Sequence, residues 1–353
     1  MKAILMAPLP PPVGGIASWA DSLLSREFPD GWSLLSVDEK ILGSREVYGE
    51  GTRFRIKDEV KRTWGIWSNL WKTMSDKDAQ VVHANTSATV PGMFRELVSA
   101  AITHLHGRKF LIEYHCTLPN EIQSRGKRIF FKLLSNASDG VIVLNQASAE
   151  YAQTRTKKPI YLIPNFIESE YLSKGRSVSS RVTKALYTGG VAEMKGCLDI
   201  IEAAKEFPDV EFILMGRVAP EVEMAQKPAN VTLTGVVDRS RVLEALKEAD
   251  LFLFCSRMSS EGFSVSLTEA MAAGLPCIVT DWAANADMVE NRGGIVIPTS
   301  DVGALKTALA ELIENSPRRQ SMSDFCIQKV SANYTDTIIL QKYAAAYTAA
   351  IGK

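Results

Sequence analysis

Glu261 and Glu269 stand eight positions apart in the segment 256–281, SRMSSEGFSVSLTEAMAAGLPCIVTD. Between them Gly262-Phe263 makes a tight turn, and an amphipathic run through Val265, Leu267, Ala270 and Met271 follows. Gly274-Leu275-Pro276 stops that run, and an apolar strand, Cys277-Ile278-Val279, leads to Asp281. One acid therefore sits in a loop ahead of a helix and the other inside the helix. The free amides at the start of such a helix form a site for phosphate. A carboxylate beside that site repels phosphate and is suited instead to neutral hydroxyls, as on a sugar or a ribose. A hydrolytic pair fits less well. Glycosidase carboxylates lie roughly 5–9.5 Å apart, whereas eight residues of helix span about 12 Å. The plainer alternative is a surface Glu favoured by the helix dipole and one solvated helical Glu.

The elements that must hold these residues repeat in two sets. Short apolar strands alternate with helical patterns, first at Lys2–Ala7, Trp32–Val37, Ala79–His83, Lys109–Tyr114, Gly140–Leu144 and Ile160–Ile163. The second set is Lys184–Thr188, Val210–Met215, Val231–Leu233, Leu251–Phe254, Pro276–Thr280 and Gly294–Ile297. Each set is long enough for one doubly wound parallel sheet, so the expected fold is α/β with two tandem Rossmann-like domains facing a cleft. The polar stretch near 168–183 is the expected linker. The expected domains are 1–168, joined by a C-terminal helix at 334–353, and 169–333. In open α/β sheets, ligands bind outside the carboxyl ends of the strands.

Composition narrows the class. The 353 residues carry 40 Lys+Arg and 40 Asp+Glu, so bulk nucleic-acid binding is not expected and any anion site must be local. Cys116, Cys197, Cys255, Cys277 and Cys326 are scattered, with apolar flanks and no C-x-x-C, as in a cytosolic protein with reduced core thiols. The apolar run AILMA near the start is too short for a signal peptide, and no stretch is apolar enough to span a membrane.

Polar residues collect at the ends of the expected strands. After the first strand, Pro10-Pro11-Pro12-Val13-Gly14-Gly15-Ile16 leads into a helix. Gly14 and Gly15 let a ligand approach the backbone, although an ordinary βα turn has the same composition. His83 and His115 each end a strand, and His115 is the better candidate for a contact with a sugar hydroxyl or the reacting centre. Lys195-Gly196 follows Tyr187-Thr188-Gly189-Gly190, where an ammonium can reach a diphosphate or simply be solvated. Asn165 and Gly216 complete the ring of strand-end loops. His104 and His106 read as helix caps. Asp76-Lys77-Asp78 has the D-x-D pattern of metal-dependent sugar transferases, but it precedes a strand, so it reads as a turn and no metal is expected.

Together these residues resemble a family 4 retaining glycosyltransferase (group 1 type) with a GT-B fold, over nearly the whole chain. The resemblance is carried by Gly14-Gly15, His115, Asn165 in Ile-Pro-Asn, Lys195-Gly196, and above all by Glu261-Gly262-Phe263 with Glu269-Ala-Met-Ala-Ala-Gly-Leu-Pro. It implies a hexosyltransferase that moves sugar from a nucleotide-diphosphate sugar to a glycan or lipid-linked acceptor, with no cofactor or metal. Glu269 would hold the ribose hydroxyls. Glu261 with Gly262, Phe263 and Ser264 would hold the donor sugar. Lys195 and the Gly15 loop would neutralise the diphosphate, and His115 would lie beside the anomeric carbon. Gly189, Gly190, Gly216 and Arg217 would also line the donor, and Gly14, His83 and Asn165 the acceptor. Relatives commonly carry Gly-Arg where this chain has Gly189-Gly190, so one diphosphate cation is missing, and Arg217 or Arg257 is the candidate substitute.

The acceptor side is less explicit. Residues 54–74 hold Trp64, Trp67 and Trp71 on one helical face with Lys57, Lys61, Arg62 and Lys72 nearby. A second basic and aromatic patch runs through 123–134. Such helices suit an anionic membrane surface, and they equally suit a domain core with a solvated edge. The surface alternative implies a peripheral enzyme at the cytoplasmic face of a membrane. Two rival functions remain: a sugar-nucleotide epimerase of the same fold, and a catalytically silent nucleotide-sugar binding protein, which the absent arginine favours.

Overall fold

A computed structural model describes residues 1–11, 14–40 and 56–352. Residues 54–55 of the tryptophan-rich segment and Pro12-Val13 of the first loop lie outside the described residues. Contacts divide the chain into two units, Met1–Pro164 with Ile339–Lys353, and Asn165–Ile338.

The first unit is built on a parallel sheet of strands β1 (Lys2–Ala7), β2 (Ser33–Asp38), β3 (Ala79–Thr86), β4 (Lys109–Tyr114), β5 (Gly140–Val143) and β6 (Ile160–Leu162). Their spatial order is β2-β1-β3-β4-β5-β6. The second unit has β7 (Lys184–Thr188), β8 (Glu211–Met215), β9 (Val231–Gly235), β10 (Leu251–Phe254), β11 (Cys277–Thr280) and β12 (Gly294–Ile297). These lie in the order β12-β11-β10-β7-β8-β9. The central strands β5, β10 and β11 read as short apolar runs and are buried throughout, as parallel strands covered on both faces do. In the first unit the core gathers Ile4, Val82, Phe110, Ile112 and Val141 under Phe131 and Leu134.

The strand orders locate the ligand ends. Chain direction across the second sheet reverses between β7 and β10, and across the first between β1 and β3. At such a reversal the loops leaving the two strands diverge to opposite faces and open a crevice. In the second unit those loops carry Lys195 and Glu261.

Strand β3 runs three residues past His83, to Thr86. It is a central strand, paired on one side with β1 and on the other with β4, where Asn85 faces Glu113 and Thr86 faces Tyr114. Pairing with β4 extends the strand through Ala-Asn-Thr, whose residues by themselves read as a loop. The helix Asp336–Ala350 buries Ile339, Leu340, Tyr343 and Tyr347, and the Trp32 indole donates to Thr348 Oγ1 at 3.1 Å.

Candidate active site

In the second unit, Lys195 closes a single 3-10 turn after β7, and Gly196 follows at φ +76 as the cap of the helix Cys197–Ala204. A Cβ on Gly196 would stand 2.3 Å from the Cys255 carbonyl oxygen, so the loops after β7 and β10 touch backbone to backbone there. That contact brings the two candidate side chains together. Lys195 Nζ lies 2.5 Å from Glu261 Oε2, and Ser256 Oγ donates to the same oxygen at 3.1 Å. Both members of the pair are half-buried, with side chains 16% and 12% exposed. The two residues thus form an ion pair where the second sheet reverses direction.

The Glu261 loop is tightly anchored. Asn165 Nδ2 donates to the Phe263 carbonyl at 2.8 Å, and the Phe263 ring packs edge-on against Tyr334 at 5.0 Å. Phe263 therefore has only backbone to offer a ligand. Ser264 caps the helix Val265–Ala272 by accepting from the Leu267 amide. Asn165, expected on the acceptor side, groups with the second unit, and its amide holds the Glu261 loop.

Glu269 sits in the second turn of that helix, half-buried. Burial pushes its pKa up to about 7, against the Tyr171 hydrogen bond and the Arg239 charge, which favour the ionised form. A raised carboxyl pKa costs folding stability as pH climbs from the ordinary carboxyl range, near 4.5, to about 7.

Gly189 and Gly216 sit where backbones nearly touch. Gly216 has φ +143, and a Cβ on it would lie 1.8 Å from the Gly189 carbonyl oxygen, so only glycine fits. Gly190 differs, because a Cβ there meets nothing within 4 Å and its φ is not left-handed. The position can accept the arginine of relatives. Arg257 pairs with Asp199 at 2.9 Å and Glu193 at 3.4 Å. Arg217 is exposed in the loop after β8. Gly190→Arg is expected to tighten nucleoside diphosphate binding roughly tenfold, the worth of about one charge-assisted hydrogen bond. Titration calorimetry checks this, and an unchanged Kd would remove the missing-cation argument.

In the first unit, Gly14 is extended and caps the helix Gly15–Leu24, with open space beside Gly15. Trp19 of that helix packs edge-on against His115, ring centroids 4.4 Å apart. His115 follows β4, its side chain 7% exposed and its Nε2 3.5 Å from Glu113 Oε1. Glu113 is fully buried and central. It takes His83 Nε2 at 2.6 Å and the Tyr343 hydroxyl at 2.8 Å, while His83 Nδ1 meets the Tyr347 hydroxyl at 2.8 Å. Burial pushes Glu113 up, but His115 and His83 outweigh it and hold its pKa at about 2. The expectation that His83 ends a strand and contacts an acceptor is corrected. His83 lies inside β3 with 0% exposure and both ring nitrogens engaged, so it joins the terminal helix to Glu113.

Sequence reasoning missed Glu113, Tyr343, Tyr347, Tyr171 and Ser256. Glu113 left a signal, because a lone acid in the apolar strand Lys-Phe-Leu-Ile-Glu-Tyr must have a buried partner. It also missed a buried cluster at the end of β2, where Arg95 pairs Glu39 at 3.2 Å and Glu96 at 2.7 Å. Asp76 of the D-x-D turn pairs Lys2 at 2.7 Å. His104 meets Asp139 at 3.0 Å, and His106 caps its helix.

Two family models match this chain: Glycosyltransferase Family 4 over residues 33–171, and Glycosyl transferases group 1 over 174–328. The chain belongs to the group 1, family 4 glycosyltransferases. Its two six-stranded parallel sheets with flanking helices are the GT-B fold. Sucrose-phosphate synthase from Thermosynechococcus elongatus superposes with a TM-score of 0.79 at 16% identity, covering 99% of each chain. Anabaena HepE, solved with UDP, gives 0.74 at 15% identity, also over 99% of each. The phosphatidyl-myo-inositol mannosyltransferase of Mycobacterium leprae is 29% identical over 170 residues, 45% of this glycosyltransferase and 45% of the relative. The match thus spans under half the length of that curated relative.

Proposed function

We propose that this chain transfers a hexose, with retention and without a metal, from a nucleotide-diphosphate sugar to a glycan or lipid-linked glycan. The observation that carries the reading is the Lys195–Glu261 pair, held at 2.5 Å where the second sheet reverses direction. In this reading the second unit binds the donor. Glu269 takes the ribose hydroxyls, Glu261 and the adjoining backbone take the sugar, and Lys195 takes the diphosphate. Negative charge develops on the diphosphate as the glycosidic bond lengthens, and a fixed cation and amides stabilise it without reorganising. The acceptor hydroxyl attacks from the face the leaving group departs, and a leaving phosphate oxygen receives its proton. The first unit binds the acceptor, and His115 is its candidate catalytic residue. UDP in the HepE structure supports a nucleoside diphosphate as the shared ligand.

Incubation with UDP-, GDP- and ADP-sugars plus acceptor extract tests this, with and without EDTA. The expected product keeps the donor's anomeric configuration, and the rate is the same with chelator. Epimerised donor would indicate the epimerase alternative, and bound but unreacted donor a silent binding protein.

A membrane surface is the proposed setting, at the cytoplasmic face. The tryptophan stripe divides: Ile66 and Leu70 fill the core, Trp67 is half-buried with its indole on the Arg95 carbonyl, and Trp64 and Trp71 are 71% and 55% exposed. On the helix Arg125–Ala137 the outer stripe is Arg125, Arg128, Ile129, Lys132 and Leu133, all exposed. Cations interleaved with large apolar side chains suit an anionic lipid interface. No helix among the described residues is long and apolar enough to cross a membrane, so contact would be peripheral. The chain is expected to float with phosphatidylglycerol vesicles at low salt, and Trp64→Ser with Trp71→Ser to remain in the pellet fraction. Failure of the unaltered chain to float would end this part of the reading.

A further inference from the structure

We infer that Ser256 is a positioning residue for the donor sugar: its buried hydroxyl bonds the Glu261 carboxylate and keeps that acid turned toward the sugar when Lys195 leaves it for the diphosphate. The inference rests on the reading of Glu261 as the sugar-binding acid.

Ser256 stands two residues past β10 and is 0% exposed. Its main chain is fixed by the neighbouring strand, because Thr280, the last residue of β11, donates from Oγ1 to the Ser256 carbonyl at 2.6 Å. Its hydroxyl is fixed from two sides. The Met258 amide donates to Oγ at 3.4 Å, and Oγ lies 3.1 Å from Glu261 Oε2. A hydroxyl carries one proton and a carboxylate only accepts, so that proton points at Glu261.

The same bond is not needed to shape the loop. The Glu261 amide donates to the Met258 carbonyl at 3.0 Å, and Trp282 Nε1 donates to the same oxygen at 2.8 Å. The Arg257 amide donates to the Met194 carbonyl at 3.0 Å. Main chain and one indole therefore close the turn between Ser256 and Glu261. What the Ser256 hydroxyl adds is the direction of the carboxylate.

Lys195 and Ser256 share Glu261 Oε2. They differ in freedom. Lys195 is a long side chain, 16% exposed, and in the proposed reaction it turns to a diphosphate oxygen. Ser256 is short and buried and has nowhere to turn. A diphosphate repels a nearby carboxylate, so an acid that has lost its ammonium needs a fixed donor to stay in place. The hydroxyl remains on Oε2 and holds the plane in which the acid meets sugar hydroxyls. Its effect should therefore depend on the sugar and not on the nucleotide.

The test titrates the full chain with UDP, GDP and ADP, and with UDP-glucose, GDP-mannose and ADP-glucose. The quantity read is the affinity ratio between a sugar nucleotide and its parent diphosphate. Ser256→Ala is expected to weaken the tightest sugar nucleotide about tenfold. The parent diphosphate should stay within about threefold. In a Glu261→Ala background, Ser256→Ala should add nothing, since its partner is gone. Equal weakening of both ligands, no weakening of either, or the same loss in the Glu261→Ala background would overturn the inference, leaving Ser256 a purely structural part. If Glu261→Ala by itself leaves the ratio intact, the reading of Glu261 fails first, and the inference with it. Binding of none of these nucleotides would overturn both. Should Ser256→Ala not fold, Ser256→Cys, similar in shape but a weak donor, decides in its place. An unchanged ratio in that variant would overturn the inference.

Discussion

Replacing Lys195 by alanine is expected to lower sugar transfer by roughly 10²–10³-fold, the usual consequence of removing one preorganised group aimed at developing charge. The lysine is the cation the structure sets beside Glu261 at the reversal of the second sheet. The loss should fall on kcat more than on donor affinity, since the demand for positive charge is greatest as the diphosphate departs. Stability should change little. Part-exposed ion pairs contribute about 0–1 kcal/mol, and Glu261 retains the Ser256 hydroxyl at 3.1 Å. Lys195→Arg should recover part of the rate. Steady-state kinetics with a fixed acceptor, alongside thermal denaturation, makes the comparison. Turnover within about threefold of the unaltered chain would remove Lys195 from the reaction.

Glu113→Leu should produce the largest structural loss. The substitution removes the shared hydrogen-bond partner of His83 and Tyr343, which also lies 3.5 Å from His115 Nε2, from a fully buried position. Removing one member of a buried charged network typically costs about 3–5 kcal/mol. The terminal helix depends on the network through Tyr343, and through Tyr347 by way of His83. Amide exchange in Asp336–Ala350 and β4 should therefore accelerate by roughly a hundredfold or more. Glu113→Gln separates structure from chemistry. It can still accept from Tyr343 and His83, so the helix should stay protected, while the negative charge beneath His115 is lost and turnover falls. The unaltered chain carries a pH signature of the same group. The Glu113 contribution is full above its ordinary pKa, near 4.5, and is lost as pH falls from there toward about 2. Unchanged exchange in Glu113→Leu would show that the network does not hold the helix.

The two sheets were legible because buried parallel strands are short apolar runs between Gly, Pro and polar turns, as in Lys184–Thr188 and Gly294–Ile297, whose limits match the structure. The Glu261–Glu269 segment was legible for a similar reason: turn, cap, helix and stop follow one another locally. His83 was misplaced because its strand is extended by neighbours distant in sequence, and Asn165 because its partner, the Phe263 carbonyl, lies 98 residues away. Tyr343 and Tyr347 read as apolar members of a helix, since nothing in their own segment shows that their hydroxyls meet Glu113 and His83. Tyr171 was hidden in a stretch whose Ser, Lys and Arg content reads as linker, although Arg239 and Glu168 fold it into the site. Local chemistry showed in the sequence, and the partners supplied by long-range packing did not.

The central claim is that a sugar's nucleoside diphosphate is held in the second unit by Lys195, Glu261 and Glu269. A crystal structure of the full chain with a bound nucleotide sugar tests it most directly. The account predicts Lys195 Nζ against a diphosphate oxygen and the Glu269 carboxylate within about 2.6–3.2 Å of the ribose hydroxyls. A nucleotide bound elsewhere, with Lys195 still on Glu261, would contradict it.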